Sequence, residues 1–217
     1  MAWSMTNLFR RRFLKPAPRK PIRRNLRLAL ERLEDRLAPA NVNVTSFHYD
    51  PSIQGQDLQE TDLTPTNVNS TNFGKLASMS VDGYVYAQPL YVHGVTINGT
   101  AHDVAFVATE HDSLYAFDVV KNSTTGAVTV SQLWQRSFIN PSAGITSVPQ
   151  PDIGSGDIVP EIGITGAPVI DGATNTLYLV AKTKEVRTDG NHYVQKLYAI
   201  DITSATGADK TAIYHRR

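Results

Sequence analysis

Six side chains of this chain are of the kinds that bind cations, and they fall in two segments. Three occupy a short turn between two predicted strands, and three lie in the long segment Asn140–Ile164. Because successive strands alternate in direction, the turn and the segment are expected at the same end of the strands, where these connections form one face. Carboxylates and imidazoles that converge in this way can hold Ca²⁺ or another metal ion. The six candidates are Glu110, His111, Asp112, Asp152, Asp157 and Glu161.

The corresponding segment further along the chain, Lys184–His192, adds Glu185, Asp189 and His192 to this face. A second interpretation applies to all of these residues: charged side chains are common in solvated turns, where they need no ligand. The sequence leaves both interpretations open. It contains no cysteine, which excludes disulfides, thiolate metal sites and a cysteine nucleophile.

The elements that position these residues are strands, and their pattern occurs twice. The predicted strands of the first copy are 87–92, 104–109, 113–118 and 132–135, and those of the second are 166–171, 177–183, 196–201 and 212–214. Equivalent positions are offset by 73 to 83 residues. A repeat of this length suits a four-stranded blade of a β-propeller with insertions between its strands.

The sequence therefore predicts an all-β partial β-propeller of about two blades. Residues 84–139 form blade 1, residues 140–164 an inter-blade insertion, and residues 165–217 blade 2. Residues 41–83 are an irregular lead-in that ends in an alternating segment, Lys75–Val81, which is predicted to be an orphan strand that closes the ring. Trp134 is expected to supply a large apolar plate between the blades.

The first 40 residues differ from the rest. Residues 1–36 carry a net charge of +8, whereas residues 37–217 carry −7. Leu26, Leu30, Leu33 and Leu37 form one stripe of a short basic helix over about residues 25–37, which Pro39 ends. Charge alone is compatible with an arm that binds nucleic acid or anionic lipid, or with a solvated tail.

A third interpretation of this arm comes from a resemblance. Residues 30–40, with the sequence LERLEDRLAPA, resemble the amino-terminal LEDR-type segment of many surface and secreted proteins of planctomycete-like bacteria. The resemblance implies a sorting role and a location at the cell envelope or outside the cell, with no nucleic acid as partner. The sequence has no run of 18 apolar residues, so no membrane-spanning helix is predicted.

The repeat also resembles a known family. Leu114–Asp118, Thr125-Gly126 and Trp134 in the first copy, and Leu197–Asp201, Thr206-Gly207 and Tyr214 in the second, are similar to the repeat of pyrroloquinoline-quinone-type β-propellers. Two departures are the long stretch from Asp118 to Thr125 and the tyrosine at 214, where the family has tryptophan. Both departures indicate a degenerate, structural repeat rather than one kept for docking.

The resemblance implies one of two functions. The first is a non-catalytic quinoprotein-like module of an exported or surface protein, whose partners are further blades or other protein surfaces. The alternative is the amino-terminal part of a quinone-dependent dehydrogenase whose active site lies beyond Arg217. Pyrroloquinoline quinone and calcium are expected as cofactors only for a full-length propeller, and no catalytic residue is assigned in this chain.

A closed propeller needs at least four blades, or roughly 320 residues at about 80 residues per blade. The sequence is therefore expected to be a fragment whose second blade has an uncovered outer face. Apolar residues such as Val169, Leu179 and Ile200 are expected to be partly exposed there, which would favour association between chains.

Overall fold

The structure is a computed structural model that describes residues 43–49, 52–57, 60, 63–71 and 73–210, and the backbone of residues 214–216. These residues belong to one compact unit, Leu37–Arg217. The predicted arm 1–40, with its helix 25–37 and sorting segment, lies outside them. The described part of the chain is all-β, with two antiparallel sheets, and none of its helices is long and apolar enough to cross a membrane.

The first sheet is a simple meander of four strands, β1 (Leu90–Ile97), β2 (Thr100–Ala108), β3 (Ser113–Lys121) and β4 (Val128–Ser137), in the order β1-β2-β3-β4. Asn98 and Gly99 join β1 to β2 with positive φ angles of 51° and 81°. Asn-Gly favours this two-residue turn because both residues tolerate positive φ. The four strands of the first predicted blade are therefore confirmed.

The second sheet contains β5 (Ile145–Pro149), β6 (Glu161–Ile162), β7 (Val169–Asp171), β8 (Thr176–Arg187), β9 (Gly190–Asp201) and β10 (Tyr214–Arg216). Strands β7, β8, β9 and β10 pair in turn and match the second predicted blade. One edge of β8 is shared: β7 pairs with its residues 176–178 and β5 with its residues 183–185. The predicted insertion 140–164 thus adds β5 and β6 to this sheet.

One apolar core lies between the two sheets. From the first sheet it contains the cross-strand row Leu90, Phe106, Ala116 and Trp134, in which each residue pairs with the next. From the second sheet it contains Leu177, Leu179, Ala181, Ile200 and Ile202. Side chains of this size each stabilise the fold by roughly 1.5–3 kcal/mol when fully buried, so this core holds the sheets together.

Two contacts join the sheets outside the aliphatic core. A side chain at Gly207, in the β9–β10 connection, would place its Cβ 2.7 Å from the ring of Trp134, so the backbone of Gly207 lies directly on the indole. Arg136 donates to the carbonyl of Gly207 at 2.7 Å and to Asp209 at 2.9 Å. Trp134 therefore packs between the two sheets, where the sequence predicts a large apolar plate.

The register places Tyr214 differently from its expected place in the repeat. Tyr214 pairs with Leu197, whereas the equivalent residue of the first sheet, Leu114, pairs with Arg136. Tyr214 therefore occupies the position of Arg136 and not that of Trp134. The expectation that tyrosine replaces the tryptophan of the repeat is wrong by this register.

The predicted closing strand Lys75–Val81 is not a strand. Its residues form no ladder with any described strand, and Leu76 is 71% exposed. Alternation of apolar and polar residues stabilises a strand only where a neighbouring strand supplies hydrogen bonds and one face is buried. Neither condition holds here, so the alternating pattern was misleading.

The two repeats differ in where the turn after the third strand of the repeat begins. Asp118 does not start a turn: β3 continues through the β-branched Val119 and Val120, and the turn forms at Asn122, whose Oδ1 accepts from the amides of Thr124 and Thr125 at 2.9 and 2.8 Å. This explains the long stretch before Gly126. Asp201 does start its turn, since it accepts from the amide of Thr203 at 2.9 Å.

Candidate ligand-binding site

The turn between β2 and β3 positions Glu110, His111 and Asp112. It is closed by a hydrogen bond from the amide of Asp112 to the carbonyl of Thr109 at 3.1 Å, and Asp112 has a left-handed φ of 53°. The amide of Glu110 donates to the backbone carbonyl of Tyr84 at 2.9 Å, and the amide of Phe138 donates to the backbone carbonyl of Asp112 at 2.9 Å. The lead-in and the residue that follows β4 therefore hold the turn from both sides.

Glu110 is fully buried and only half satisfied. Its Oε2 accepts from the amide of Gly163 at 2.8 Å and from the hydroxyl of Thr165 at 3.0 Å. Its Oε1 has no hydrogen-bond partner among the described residues. The segment between β6 and β7 thus bonds directly to the first sheet through this carboxylate.

Gly163 allows this close approach. A Cβ at position 163 would lie 2.4 Å from the carbonyl oxygen of Glu110 and 2.8 Å from Cγ of Asp112. Real Cβ atoms do not approach other atoms this closely, so only glycine fits. We call the cluster of Glu110, Asp112, Gly163 and Thr165 the junction, because it joins the first sheet to the segment that leads into the second.

Asp112 is also fully buried, and neither of its carboxylate oxygens has a hydrogen-bond partner in the described part of the chain. Burial, with smaller contributions from the nearby charges of Glu110 and Glu161, raises the pKa of Asp112 to about 8. The backbone amide of Lys182 partly counters this rise in pKa, although it lies outside hydrogen-bonding geometry. Asp112 is therefore protonated at neutral pH.

His111 and Glu161 form a pair at the surface beside the junction. His111 Nδ1 lies 2.8 Å from Glu161 Oε1, and Ser147 on β5 donates to the other oxygen of Glu161. The two side chains are 39% and 22% exposed. The structure thus brings together four of the six predicted candidates, namely Glu110, His111, Asp112 and Glu161.

The other candidates are engaged elsewhere. Asp152 accepts from Lys184 Nζ at 2.6 Å and from the hydroxyl of Tyr193 at 3.0 Å, and the first of these hydrogen bonds lowers its pKa. Asp157 accepts from its neighbour Ser155 at 2.8 Å. Neither residue takes part in the junction.

The predicted turn Lys184–His192 is shorter than expected. Strands β8 and β9 extend to Arg187 and Gly190, which places Glu185 and His192 on strands. Glu185 is paired with Lys196 and Arg187, and Asp189 lies 2.9 Å from His192. The charged side chains that were predicted to face the site therefore pair with one another and with neighbours in the second sheet instead.

Asp82 is a site residue that the sequence did not indicate. Its carboxylate accepts from Thr109 Oγ1 at 2.9 Å, Ser113 Oγ at 2.5 Å and Gln135 Nε2 at 3.0 Å. All three donors are neutral and lie on or beside strands of the first sheet. Asp82 follows a segment without secondary structure, so no periodicity or motif marked it.

A surface pocket of about 250 Å³ lies between the lead-in and the segment before β6. It is lined by Val81, Asp82, Gly83, Tyr84, Pro160 and Glu161. Two carboxylates, one aromatic ring and two apolar side chains therefore share one small cavity, which we call the acidic pocket. Among the described residues, no group of three or more His, Asp or Glu side chains has an arrangement that could hold a metal ion.

The chain was compared with protein-family models, with curated proteins and with solved structures, and none of the three comparisons found a match.

Proposed function

We propose that residues 84–217 are two adjacent blades of a quinoprotein-like β-propeller, a non-catalytic module that gives an exported or surface protein a binding or scaffold surface. The proposal rests on how the sheets stack. The first sheet buries the row Leu90, Phe106, Ala116 and Trp134 against the second. The second sheet has an equivalent row of its own, but it contacts the first sheet with its other face.

The register defines this equivalence. In the first sheet Leu90 pairs with Phe106 and Phe106 with Ala116, and in the second Val169 pairs with Tyr178 and Tyr178 with Ala199. Leu177, Leu179 and Ile200, which face the first sheet, therefore correspond to Ala105, Val107 and Phe117 on the other face. Two unlike faces in contact make a head-to-tail interface, which generates a ring when repeated with a closing rotation.

The second sheet has an open face that matches the covered face of the first. Its apolar residues are Val169, Tyr178, Val180 and Leu197, which are 48%, 39%, 45% and 38% exposed. Equivalent residues Leu90, Phe106, Ala108 and Leu114 are almost completely buried. A contiguous exposed apolar face of this kind marks an interaction surface. The expected exposure of Val169 is confirmed, whereas that of Leu179 and Ile200 is wrong because they alternate onto the inner face.

Sedimentation velocity of the intact chain tests the open face. We expect association that increases with protein concentration, and we expect Val180→Glu to abolish it because a charge on an apolar interface is costly to bury. Val120→Glu is the matched control, since Val120 is a similarly exposed valine on β3 of the first sheet, 50% against 45% for Val180. A wild-type chain that stays monomeric at all concentrations, or equal effects of the two variants, would contradict the proposal.

Reconstitution with the cofactor distinguishes the scaffold function from the rival dehydrogenase function. Purified full-length protein is mixed with pyrroloquinoline quinone and Ca²⁺, and its absorbance and dye-coupled oxidation of alcohols and sugars are measured. The scaffold proposal predicts neither saturable quinone binding nor turnover. Saturable binding with turnover would reject it in favour of the enzyme.

A further inference from the structure

The first sheet has a second apolar face, which points away from the second sheet and which we call the outer face. The rings of Tyr115 and Phe117 stack there with their centroids 5.5 Å apart, and the two residues are only 4% and 3% exposed. Ala105 and Val107 on the same face are half-buried. The outer face is therefore covered, although it is not the face that contacts the second sheet.

Tyr198 shows what covers the equivalent face of the second sheet. Its ring lies 4.5 Å from that of Phe138, which directly follows β4, and the guanidinium of Arg136 lies 5.7 Å from its centroid. Tyr115 is the equivalent residue of the first sheet, since each tyrosine precedes the alanine that pairs with the second strand of its repeat. In the second sheet this face is thus covered by the end of the preceding sheet.

The lead-in takes that place over Tyr115 in the first sheet. The amide of Asp82 donates to Tyr115 Oη at 3.1 Å. The carboxylate of Asp82 also accepts from side chains on or beside the strands of the first sheet, namely Thr109, Ser113 and Gln135. We call the segment Val81–Tyr84 the strap, because these hydrogen bonds fasten it across the sheet.

The strap also packs directly on the turn between β2 and β3. A Cβ at Gly83 would lie 2.8 Å from the backbone nitrogen of His111 and 3.0 Å from its Cβ, so the two backbones are in contact. The amide of Glu110 donates to the backbone carbonyl of Tyr84 at the end of the strap. Side-chain and backbone contacts therefore both hold the strap in place.

Without the strap, the outer face would match the open face of another copy of the chain. The open face carries the equivalent of the row that the first sheet buries, and the outer face carries the equivalent of the face on which that row packs. A second copy could then add head to tail, and each addition would leave a free face for the next. We propose that the strap shields the outer face of the first sheet from the open face of a second copy.

This inference rests on the proposed function, because it takes the open face of the second sheet as an interaction surface. With the strap in place, the open faces of two copies are left to contact each other. Such a contact uses the same surface on both copies, so it ends at a pair and does not extend. The strap thus limits the association that the open face drives.

Two glycines of the lead-in provide a matched pair of variants. Neither has a positive φ, and a Cβ at Gly74 meets no described atom within 4 Å. Gly83→Ala places a Cβ against the backbone of His111 and is expected to displace the strap, whereas Gly74→Ala is the control. Asp82→Ala displaces the strap by a second route, the loss of its hydrogen bonds. Faster chymotrypsin cleavage after Tyr84, located by mass spectrometry, reports the displacement, and circular dichroism reports the fold.

Sedimentation velocity of the intact chain at increasing concentration then measures association. We expect wild type and Gly74→Ala to stop at a pair, and Gly83→Ala and Asp82→Ala to form species larger than those of wild type. Addition of Val180→Glu to either strap variant is expected to prevent the larger species, because it places a charge on the open face.

The outcomes separate this inference from the proposed function. It is overturned if wild type already forms species larger than a pair, if neither strap variant exceeds wild type, or if Val180→Glu leaves the larger species intact. Loss of the fold in both strap variants would also overturn it, since the strap would then be part of the core. A monomeric wild type contradicts the association of open faces, and the strap variants still decide whether the outer face is shielded.

Discussion

Glu110 and Asp112 pose the main energetic problem at the scale of single residues, because two carboxyls are buried together without a cation from the described chain. Glu110 is partly satisfied by the amide of Gly163 and the hydroxyl of Thr165. Asp112 has no such donors, and protonation removes its charge instead. Neutralisation is the usual response of a buried acid, since an isolated buried charge costs far more than a shifted pKa.

The raised pKa of Asp112 predicts how stability depends on pH. Its pKa is about 8 in the folded chain, against an ordinary value of 3.8. Between about pH 4 and 8 the unfolded chain therefore binds fewer protons at this residue than the folded chain, so the free energy of unfolding falls as pH rises. Within this window the slope approaches about 1.4 kcal/mol per pH unit. Above and below it, the contribution of Asp112 to the free energy of unfolding does not change with pH.

Chemical denaturation of wild type and Asp112→Asn at pH 5, 7 and 9 measures this effect. We expect the free energy of unfolding of the variant to fall much less between pH 5 and 8 than that of wild type, since asparagine does not titrate. Asp157→Asn serves as the comparison and is expected to keep the wild-type slope. If Asp112→Asn has the same pH dependence as wild type, Asp112 is already ionised in the fold.

Some of the site followed from the sequence and some did not. Glu110, His111 and Glu161 were placed on one face because strand direction alternates, and that reasoning needs only the approximate strand positions. Asp82 was missed because it contacts strands from an irregular segment, and its partners Ser113 and Gln135 are distant in sequence. Gly163 was missed because close backbone approach is a property of the packed structure.

At the scale of elements, the turn after β9 is what docks the second sheet on the first. Gly207 and Gly126 occupy equivalent turns of the two repeats, with positive φ angles of 65° and 72°. A Cβ at Gly207 would lie 2.7 Å from Trp134, whereas a Cβ at Gly126 meets no described atom within 4 Å. The two glycines therefore share a backbone requirement and differ only in the contact between sheets.

Replacement of each glycine by alanine isolates that contact. In both variants the left-handed conformation lowers the free energy of unfolding by about 1–2 kcal/mol. Gly207→Ala must also displace the indole of Trp134, and we expect a further loss of about 1–3 kcal/mol from the strain of overpacking. The free energy of unfolding from denaturant titration gives both values. Equal losses in the two variants would show that Gly207 does not pack on Trp134.

The strands were predictable where apolar and polar residues alternate and a neighbouring strand is present to pair with. Eight strands fell close to their predicted positions because apolar residues alternate and tight turns separate them. The segment Lys75–Val81 has the same alternation without a partner, and the exposed faces of Val180 and Leu197 look like core in the sequence. Period-two patterns identify the two faces of a strand but do not say what covers each face.

At the scale of the whole molecule, the charge of residues 1–40 separates that arm from the rest of the chain. The proposed sorting role predicts that the intact protein is recovered in the cell envelope or the medium, and that removal of residues 1–40 causes retention in the cytoplasm. Cell fractionation with a cytoplasmic marker protein measures this distribution. Recovery of the intact chain with the cytoplasmic marker would contradict the role.

The central claim is that the second sheet has one face covered by the first sheet and one open face of equivalent character. The native chain has no cysteine, so a single introduced thiol reports its own exposure. Leu179 and Val180 are neighbours on β8 that point to opposite faces, with 2% and 45% exposure. Their cysteine variants are otherwise matched in strand and in sequence position.

The direct measurement is the rate at which each thiol of the folded chain reacts with Ellman's reagent, relative to the same thiol in denaturant. The thiol of Val180→Cys is expected to react within about tenfold of the unfolded rate, and that of Leu179→Cys at least about a hundredfold more slowly, because only a locally opened fold exposes it. Protection of both thiols would mean that the open face is covered. Rapid reaction of Leu179→Cys would mean that the sheets do not stack head to tail.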